Sequence, residues 1–222
     1  MCIPRPAAIP VWRNADPARM IRRVQDVIRR AFAESIRAKE RFVAEQGELL
    51  ERVARLIAEA IAQGHKLLLF GNGGSAADAQ HIAAEFVNRF RVERRPLPAI
   101  ALTTDTSALT SIANDYGYEH VFAKQIDALG GAGDVAIAIS TSGSSPSVLR
   151  AIEACGRVGC FVVGLTGGDG GGMADQVDFL LNVSATRETA RVQETHITIA
   201  HVLCDLVDRQ LFPAAYEKDP GA

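Results

Sequence analysis

The sequence predicts an α/β fold built on a parallel sheet with helices on both sides. Five short apolar runs alternate with helical stretches after residue 65, and each run is continuously apolar rather than alternating with polar residues. That pattern is typical of strands buried on both faces, as in parallel sheets covered by helices. The predicted strands are Lys66–Phe70, Ala99–Leu102, Val135–Ile139, Phe161–Leu165 and Val177–Val183.

Helices are predicted before, between and after these strands. Two extra amphipathic helices precede the first strand, because apolar residues recur at three- and four-residue spacings over residues 21–36 and 48–63. The others are Ala76–Phe90, Val121–Leu129, Val148–Val158 and Glu188–Leu211. Since no repeat or internal linker is visible, we expect a single domain over residues 18–212. An irregular, proline-containing arm (residues 1–17) precedes it and a C-terminal tail (residues 213–222) follows it.

The composition argues against several classes of protein. A formal net charge of −2 gives no general attraction to nucleic acid or to an anionic membrane. No apolar run approaches the roughly 20 residues of a membrane span, and the start lacks the apolar core of a signal peptide. The four cysteines form no CxxC pair, which favours reduced thiols and a cytoplasmic location.

Hydroxyl side chains are concentrated where the strand Val135–Ile139 ends. They belong to Ser140, Thr141, Ser142 and Ser145, and Pro146 follows at a position that suits the start of a helix. Ligands of parallel α/β sheets bind at the carboxyl ends of the strands. Hydroxyls and free backbone N–H groups at one such corner predict a phosphate cradle, although hydroxyls in a turn also serve simply to cap the backbone.

A glycine-rich loop follows the first predicted strand. Residues 71–74 turn the chain, and Ser75 is expected to cap the next helix with Asp78 as its capping-box partner. The loop matches neither a P-loop, since no lysine follows, nor a dinucleotide fingerprint, since Ala76 replaces the third glycine. A third glycine-rich turn, residues 167–172, is interpreted as a flexible connection.

Candidate metal ligands and acid–base groups lie on two helices. His81 and Glu85 share one helix face and suit a divalent ion or an acid–base pair, although a surface polar pair has the same spacing. Gln193 and His201 are about 12 Å apart along the last helix, so they reach one ion only from opposite sides of it. His196 lies on another face of that helix and competes with His201.

Two further polar groups have less specific interpretations. Asn114 and Asp115 suit a polar turn. A local basic cluster is interpreted as a solvated face rather than a nucleic-acid site, because it contains little aromatic character. Its members are Arg89, Arg91, Arg94 and Arg95.

Four segments, taken in order, resemble one protein family. They are GNGGSAADAQHIAAEF, TSIANDYGY, ISTSGSSPSVLRAI and RVQETHITIAHVLCDL. The chain resembles phosphoheptose isomerases (sedoheptulose 7-phosphate isomerases), a family of the sugar isomerase, or SIS, domain superfamily. The resemblance covers roughly residues 20–212. It implies a doubly wound five-stranded parallel sheet with extra N-terminal helices, assembled as a cytoplasmic homotetramer with active sites between subunits.

The resemblance also implies roles for individual residues. Glu85 would be the base and His201 the acid of an enediol reaction converting sedoheptulose 7-phosphate to D-glycero-D-manno-heptose 7-phosphate, a heptose precursor for lipopolysaccharide. The implied substrate-binding residues are Asn72, Gly73, Gly74, Ser75, Glu85, Asn114, Asp115, Ser140, Thr141, Ser142, Ser145 and Gln193. The implied ligands of one Zn²⁺ per subunit are His81, Glu85, Gln193 and His201. Ala190 departs from the family, because some members carry an aspartate there.

Two other functions in the same superfamily stay open at this point. One relative is a non-catalytic tetramer that binds the replication initiator DnaA, and segments such as LPAIALTTD resemble both groups. That type lacks the carboxylate and histidine found here as Glu85 and His201, so their presence favours the isomerase. A sugar-phosphate-sensing regulator would carry a helix-turn-helix domain, whereas the predicted N-terminal helices are interpreted as packing helices. We expect no nucleic-acid or membrane partner.

Overall fold

The computed structural model describes the backbone of residues 17–218 and the side chains of residues 23–217. The predicted arm therefore lies outside the described residues except for Pro17, which is the first residue of a helix. None of the helices in this part of the chain combines the length and the apolar character needed to cross a membrane.

Five parallel strands form one sheet in the order β2-β1-β3-β4-β5. The strands are β1 Leu67–Gly71, β2 Ala99–Ala101, β3 Val135–Ile139, β4 Phe161–Gly167 and β5 Phe179–Val183. The helices are α1 Pro17–Ala62, α2 Gly74–Val87, α3 Thr106–Tyr116, α4 Ala123–Leu129, α5 Pro146–Val158, α6 Thr189–Leu211 and α7 Pro213–Lys218. The predicted fold class is confirmed, and each predicted strand is within two residues of the observed one at both ends.

The sheet separates two hydrophobic cores, because successive side chains of a strand point to opposite faces. Leu67 and Leu69 of β1 pack in a core with α1, α2 and α6. Leu68 and Phe70 of the same strand pack in a second core with α4 and α5. Every residue of β1 and β3 is buried, which explains why the sequence shows continuous apolar runs there.

The strand order places a topological switch point between β1 and β3. From β1 the chain passes to the edge strand β2 and then returns to β3 on the other side of β1. The connections leaving the carboxyl ends of β1 and β3 therefore diverge, and a crevice opens between them. The glycine-rich loop and the hydroxyl loop are the two segments that leave these strand ends.

The prediction of two N-terminal helices was wrong, since α1 is one helix of 46 residues. Residues 37–46 are mostly Ala, Glu, Lys and Arg, which favour helix, and they contain no proline. Gly47 lies inside the helix at a cost of only about 1 kcal/mol relative to alanine. Ala38 and Phe42 are buried in the core, so tertiary packing holds the middle of the helix together.

Two short helices were not predicted. In α3 no residue is fully buried, so its apolar periodicity is weak, but Asp105 caps it by accepting a hydrogen bond from the Ala108 N–H at 2.9 Å. In the predicted C-terminal tail, residues 213–218 form α7. Tyr216 anchors α7 to α6 by donating a hydrogen bond to Asp205 at 2.8 Å.

Candidate active site

The hydroxyl loop is held in one conformation by its glycine and by a neighbouring turn. Gly143 has a φ of +64°, and a β-carbon there would collide with the carbonyl oxygen of Gly170. The Met173 N–H donates to the Gly143 carbonyl at 2.9 Å. The third glycine-rich turn therefore packs directly against the hydroxyl loop, a contact that its interpretation as a flexible connection did not anticipate.

The four loop hydroxyls differ in exposure. Ser140 is buried at the end of β3, Thr141 and Ser145 are half-buried, and Ser142 is exposed. Pro146 begins α5 as predicted, and the Ser145 side chain makes no capping bond to that helix. The interpretation in which these hydroxyls only cap the backbone is thus wrong for Ser145.

The glycine loop leads straight into α2. Because α2 begins at Gly74, Ser75 lies inside the first turn, and no side chain caps the helix. The predicted capping box of Ser75 and Asp78 is therefore wrong. Ser75 is buried, while its neighbours Gly73 and Gly74 are exposed.

The amide of Asn72 joins the two loops. Its Nδ2 donates to the Oγ atoms of Ser145 at 2.8 Å and Ser147 at 2.9 Å. Tyr118 Oη donates to Asn72 Oδ1 at 2.9 Å. We call these four residues, Asn72, Tyr118, Ser145 and Ser147, the carboxyl-edge cluster. The predicted Asn72 and Ser145 are thus brought together across the switch point.

Asn114 and Asp115 lie near this cluster in the chain. They are exposed residues at the end of α3, shortly before Tyr118, and not in the polar turn that was expected. Asn114 Nδ2 donates to Asp115 Oδ1 at 2.8 Å, and this bond does not use the other carboxylate oxygen of Asp115.

A polar cavity of about 150 Å³ lies beside the hydroxyl loop. Thr141 and Ser142 line it together with the glycine-rich turn. Arg187 Nη2 donates to Asp169 Oδ2 at 2.7 Å at the same cavity, and the hydrogen bond from the Gly171 N–H, followed by the Arg187 guanidinium, lowers the pKa of Asp169. The cavity extends the polar surface of the loop away from the Asn72 side.

A second candidate region lies between α2 and α6. His81 Nε2 is 2.9 Å from His201 Nε2 and 3.5 Å from Glu85 Oε1. Phe90 stacks on the His201 ring with centroids 5.4 Å apart. We call His81, Glu85 and His201 the α2–α6 seam. The two predicted histidines and the predicted carboxylate therefore meet within one chain.

Gln193 does not join the seam. It lies against Gly74, where a β-carbon would collide with the Gln193 amide. His201 is about 12 Å further along α6, since a helix rises 1.5 Å per residue. The expectation that Gln193 and His201 cannot both reach one ion from the same side therefore agrees with the structure.

The seam offers the donor types that zinc binds, although its atoms are not spaced around an ion. Two imidazole nitrogens and a carboxylate oxygen are typical of catalytic zinc sites. Two ligand nitrogens of one tetrahedral zinc ion lie about 3.3 Å apart by ordinary Zn–N lengths, more than the 2.9 Å seen between His81 and His201. In residues 17–218 no group of three or more His, Cys, Asp or Glu side chains is spaced to hold a metal.

His196 belongs to neither region. Its side chain is buried, and its Nε2 hydrogen-bonds the Thr166 carbonyl oxygen at 3.0 Å. Burial lowers the pKa of His196 to about 4. His196 is therefore a neutral core residue that attaches α6 to the end of β4.

Arg94 contradicts the interpretation of the arginine cluster as a solvated face. Its side chain is only 1% exposed and binds Asp208 of α6 at 2.9 Å. The same guanidinium donates to the carbonyl oxygens of Glu85, Phe86 and Asn88 at the end of α2. It thus satisfies carbonyl oxygens that the end of α2 would leave unpaired, and it joins α2 to α6 next to the Glu85 backbone.

Three polar residues at these regions were missed by sequence reasoning. Tyr118 and Ser147 join the carboxyl-edge cluster through contacts between distant segments, for which the sequence carries no local signal. Asp78 shares the α2 face of His81 and Glu85, and its spacing of three and seven residues from them was a usable signal. Burial raises the pKa of Asp78, while the neighbouring His81 opposes that shift.

Comparison with known proteins agrees with this architecture. The SIS domain family matches residues 31–167, more than half of the chain. The phosphoheptose isomerase of Thermodesulfovibrio yellowstonii is 52% identical over 197 residues, which are 88% of this chain and 98% of that protein. The chain belongs to the phosphoheptose isomerase family. The family assignment expected from the four motifs is therefore confirmed.

Solved structures of this family have the same fold. Phosphoheptose isomerase GmhA from Neisseria gonorrhoeae superposes with a TM-score of 0.78 at 48% identity, over 83% of this chain and 98% of that one. A phosphoheptose isomerase from Francisella tularensis gives a TM-score of 0.81 at 38% identity, over 84% of this chain and 98% of that one. The prediction of an SIS-type sheet is thereby confirmed.

Proposed function

We propose that the protein converts sedoheptulose 7-phosphate to D-glycero-D-manno-heptose 7-phosphate. The observation that carries the proposal is the α2–α6 seam, where Glu85 and His201 both lie within 3.5 Å of His81. Isomerisation of a ketose to an aldose needs one group that removes a proton from carbon and one that protonates oxygen. A carboxylate and an imidazole placed together meet that need.

Glu85 acts as the base and His201 as the acid. Glu85 takes a proton from C1 of the ketose while His201 protonates the C2 oxygen, which gives an enediol. Glu85 then returns the proton to C2, and His201 takes the proton of the C1 hydroxyl as the C1 aldehyde forms, which regenerates both groups. The proton balance closes, so the reaction needs neither an external oxidant nor an organic cofactor.

The hydroxyl loop, at the carboxyl edge of the sheet, binds the phosphate. Its hydroxyls and the N-terminus of α5 present donors to an anion. Substrate contacts are assigned to Asn72, Gly73, Gly74, Ser75, Glu85, Asn114, Asp115, Ser140, Thr141, Ser142, Ser145 and Gln193. Phosphate anchoring holds the reacting end of the sugar in place, which lowers the entropic cost of the proton transfers.

The length of α2 argues against one chain connecting these two regions through one substrate. Glu85 lies eleven residues after Gly74 in α2, a distance of about 16 Å along the helix. The reacting carbons and the phosphorus of an extended heptose phosphate are about 9 Å apart by ordinary bond lengths. We therefore assign the phosphate loop and the acid–base pair of one site to two copies in a homotetramer.

An exposed apolar stripe on α1 supports such an assembly. Val24, Val27, Ile28, Phe32 and Ile36 are between 45% and 69% exposed. Exposed apolar surface of this extent is typical of a surface that binds another protein chain.

Zn²⁺ is proposed as the metal of the seam, held by His81, Glu85 and His201. Gln193 is assigned as a ligand from another copy, because it is remote from the seam in its own chain. When bound, zinc would polarise the substrate oxygens as a Lewis acid. The two histidines would shift apart to bind it, since their nitrogens are too close for one tetrahedral ion.

The initiator-binding alternative has no support in the comparisons, because the relatives described above are named as isomerases. The proposed product suits an early step toward the heptose of lipopolysaccharide, and we place the reaction in the cytoplasm. Interaction with nucleic acid or membrane is not part of this proposal.

Turnover of sedoheptulose 7-phosphate by the purified protein tests the activity, with NMR detection of the heptose product. The assay is run as purified, after chelation, and after zinc is restored. Turnover that chelation removes and zinc restores would support both activity and metal. Turnover indifferent to chelation would remove the zinc proposal, and no turnover in any condition would overturn the isomerase and lead to a binding assay with DnaA.

Mixing two inactive variants tests whether a site uses two copies. Glu85→Gln removes the base, whereas Ser142→Asp places a negative charge in the exposed phosphate loop. If each site takes these parts from different copies, random co-assembly restores about a quarter of the sites. If each chain builds its own site, the mixture stays as inactive as the separate variants.

A further inference from the structure

The amide of Asn72 is hydrogen-bonded through both its nitrogen and its oxygen, and it joins the glycine-rich loop to two other segments. It donates to Ser145 and Ser147 at the start of α5, and it accepts from Tyr118 in the turn Tyr118–His120. Tyr118 is 46 residues away from Asn72 in the chain. The proposed reaction does not use Tyr118, so its hydrogen bond to Asn72 of the glycine-rich loop needs a separate explanation.

The direction of these bonds determines what the serine hydroxyls can donate. A serine has a single O–H donor and two acceptor lone pairs. Because the amide donates to both Oγ atoms, neither serine gives its proton to Asn72. Ser145 and Ser147 lie 3.4 Å apart, and Ser147 is buried, so Ser147 can donate to Ser145. The half-buried Ser145 then keeps its proton for a ligand.

The opposite orientation of the amide would remove this proton. If Asn72 were rotated by 180°, its carbonyl oxygen would face the serines and accept their protons. An anion such as phosphate would then meet acceptors instead of donors. The Tyr118 hydroxyl favours the first orientation, because a phenol is a stronger donor than acceptor and its donation to Asn72 needs the carbonyl oxygen on that side. Hydrogen bonds in such a chain also polarise and strengthen one another.

We propose that Tyr118 is a positioning residue that fixes the Asn72 amide so that Ser145 donates to the substrate phosphate. The proposal rests on the proposed function, since it assigns a phosphate to the carboxyl edge. Tyr118 acts through Asn72 and is not itself assigned to the reaction.

Tyr118→Phe tests this role by removing only the hydroxyl. Loss of one hydrogen bond should raise KM for the sugar phosphate about three- to tenfold, while kcat stays within about twofold because the seam is untouched. Tyr116→Phe is the matched control, since Tyr116 is as exposed as Tyr118 and its ring contacts Lys124 at 3.7 Å. The control should leave KM and kcat unchanged. An unchanged KM in Tyr118→Phe, or an equal loss in both variants, would overturn the proposal.

A double-mutant cycle with Asn72→Ala distinguishes positioning from direct contact. If Tyr118 acts through Asn72, adding Tyr118→Phe to Asn72→Ala causes no further loss of affinity, so the two effects are non-additive. Additive effects would mean that Tyr118 touches the ligand itself, which contradicts the proposal. Asn72→Leu replaces Asn72→Ala if the alanine variant does not fold, because it nearly keeps the volume and neither donates nor accepts a hydrogen bond.

Calorimetric binding of inorganic phosphate separates this inference from the proposed function. If the wild-type protein binds phosphate but does not isomerise sedoheptulose 7-phosphate, the proposed function fails while the Tyr118 cycle is still decided by phosphate affinity. Weaker phosphate binding in Tyr118→Phe, and not in Tyr116→Phe, supports the positioning role. Equal phosphate affinity in wild type and Tyr118→Phe, or no phosphate binding by the wild type, overturns it.

Discussion

At the carboxyl-edge cluster the polar side chains form directed hydrogen bonds to one another, whereas at the α2–α6 seam three potential metal ligands lie together and stay partly exposed. Asn72 satisfies three hydrogen-bond directions with Tyr118, Ser145 and Ser147. In the seam the side chain of His81 is 48% exposed, and two imidazole nitrogens face each other at 2.9 Å. In the described part of the chain, residues 17–218, no group of three or more His, Cys, Asp or Glu side chains is spaced to hold a metal ion. The region proposed to anchor the phosphate is therefore organised by folding of one chain, whereas the region proposed to react would be completed by a substrate, an ion or a second copy.

This difference teaches that anchoring and reaction can be separated by mutation. The carboxyl edge depends on strand order, because β1 and β3 must be neighbours for their loops to meet. The seam depends on how two helices pack side by side. A change in one region should therefore leave the properties of the other nearly intact, and the predictions below test that separation in order of expected effect.

The largest expected effect is that of Glu85→Gln. Loss of the general base should lower kcat by about a hundredfold to ten thousandfold. Phosphate binding should stay unchanged, because Glu85 is remote from the carboxyl edge. Turnover assays and phosphate calorimetry measure the two properties, and Glu93→Gln on the exposed surface is the control. Substantial activity in Glu85→Gln would remove it as the base, and an equal loss of phosphate affinity would show that the regions are not separable.

The next largest effect concerns the attachment of the two seam helices. Arg94→Met leaves Asp208 buried without its partner and leaves the end of α2 unsatisfied. We expect the free energy of unfolding to fall by about 3 to 5 kcal/mol, as for other broken buried ion pairs. Burial already raises the pKa of Asp208, so the deficit should shrink at acid pH as the carboxyl takes up a proton.

Urea denaturation measures the Arg94 effect. Arg89→Met is the control, because Arg89 is exposed and pairs only with exposed Glu93. Surface substitutions of this kind change stability by less than about 0.5 kcal/mol. Equal stability of the two variants would mean that Arg94 does not hold the seam helices together.

The fold could be predicted from the sequence wherever burial alone determined an element. The strands β1 and β3 lie at the centre of the sheet, and their apolar runs are unambiguous. The helix α1 was divided wrongly, because Gly47 and a polar stretch conceal a continuity that packing of Phe42 supports. The helix α3 was missed, since it buries no residue completely and begins at a cap that only the structure reveals.

The sequence predicted which types of residue form the candidate site, but not which of them contact one another. The hydroxyl loop and the His81–Glu85 pair are visible as local patterns. The bond from Asn72 to Ser145 spans 73 residues and requires the strand order to be known. Arg94 looked like a surface charge, because a buried arginine differs from an exposed one only in what surrounds it. Gln193 was grouped with His201 by resemblance, whereas the helix separates them within one chain.

His196 attaches α6 to the end of β4 and should determine part of the stability at acid pH. Its pKa is lowered to about 4 in the folded protein, from 6.5. Its stabilising contribution is therefore present above pH 6.5 and is lost as the pH falls toward 4, by roughly 3 kcal/mol in total. His196→Gln can still donate to the Thr166 carbonyl and does not take up a proton.

The free energy of unfolding of wild type and His196→Gln, measured between pH 7 and pH 4, isolates this contribution. Other groups titrate equally in both proteins, so the difference between the two curves belongs to His196. The wild type should lose more stability than the variant over this range, while His120→Gln should follow the wild type. Parallel curves for wild type and His196→Gln would show that the core histidine does not resist protonation.

The smallest expected effects are those of substitutions at the starts of two helices, α3 and α2. Asp105 caps α3 with a hydrogen bond at 2.9 Å, whereas Ser75 makes no capping bond to α2. Asp105→Ala should therefore cost about 1 kcal/mol of stability and leave phosphate affinity unchanged. Ser75→Ala removes a buried hydroxyl that makes no capping bond, so it should cost less stability than Asp105→Ala, yet weaken phosphate binding about three- to tenfold if its hydroxyl donates to the ligand. Thermal denaturation and phosphate calorimetry on both variants measure this contrast. If Ser75→Ala loses as much stability as Asp105→Ala and keeps its phosphate affinity, Ser75 has a structural role. The residues assigned to phosphate binding would then be those of the hydroxyl loop and Asn72.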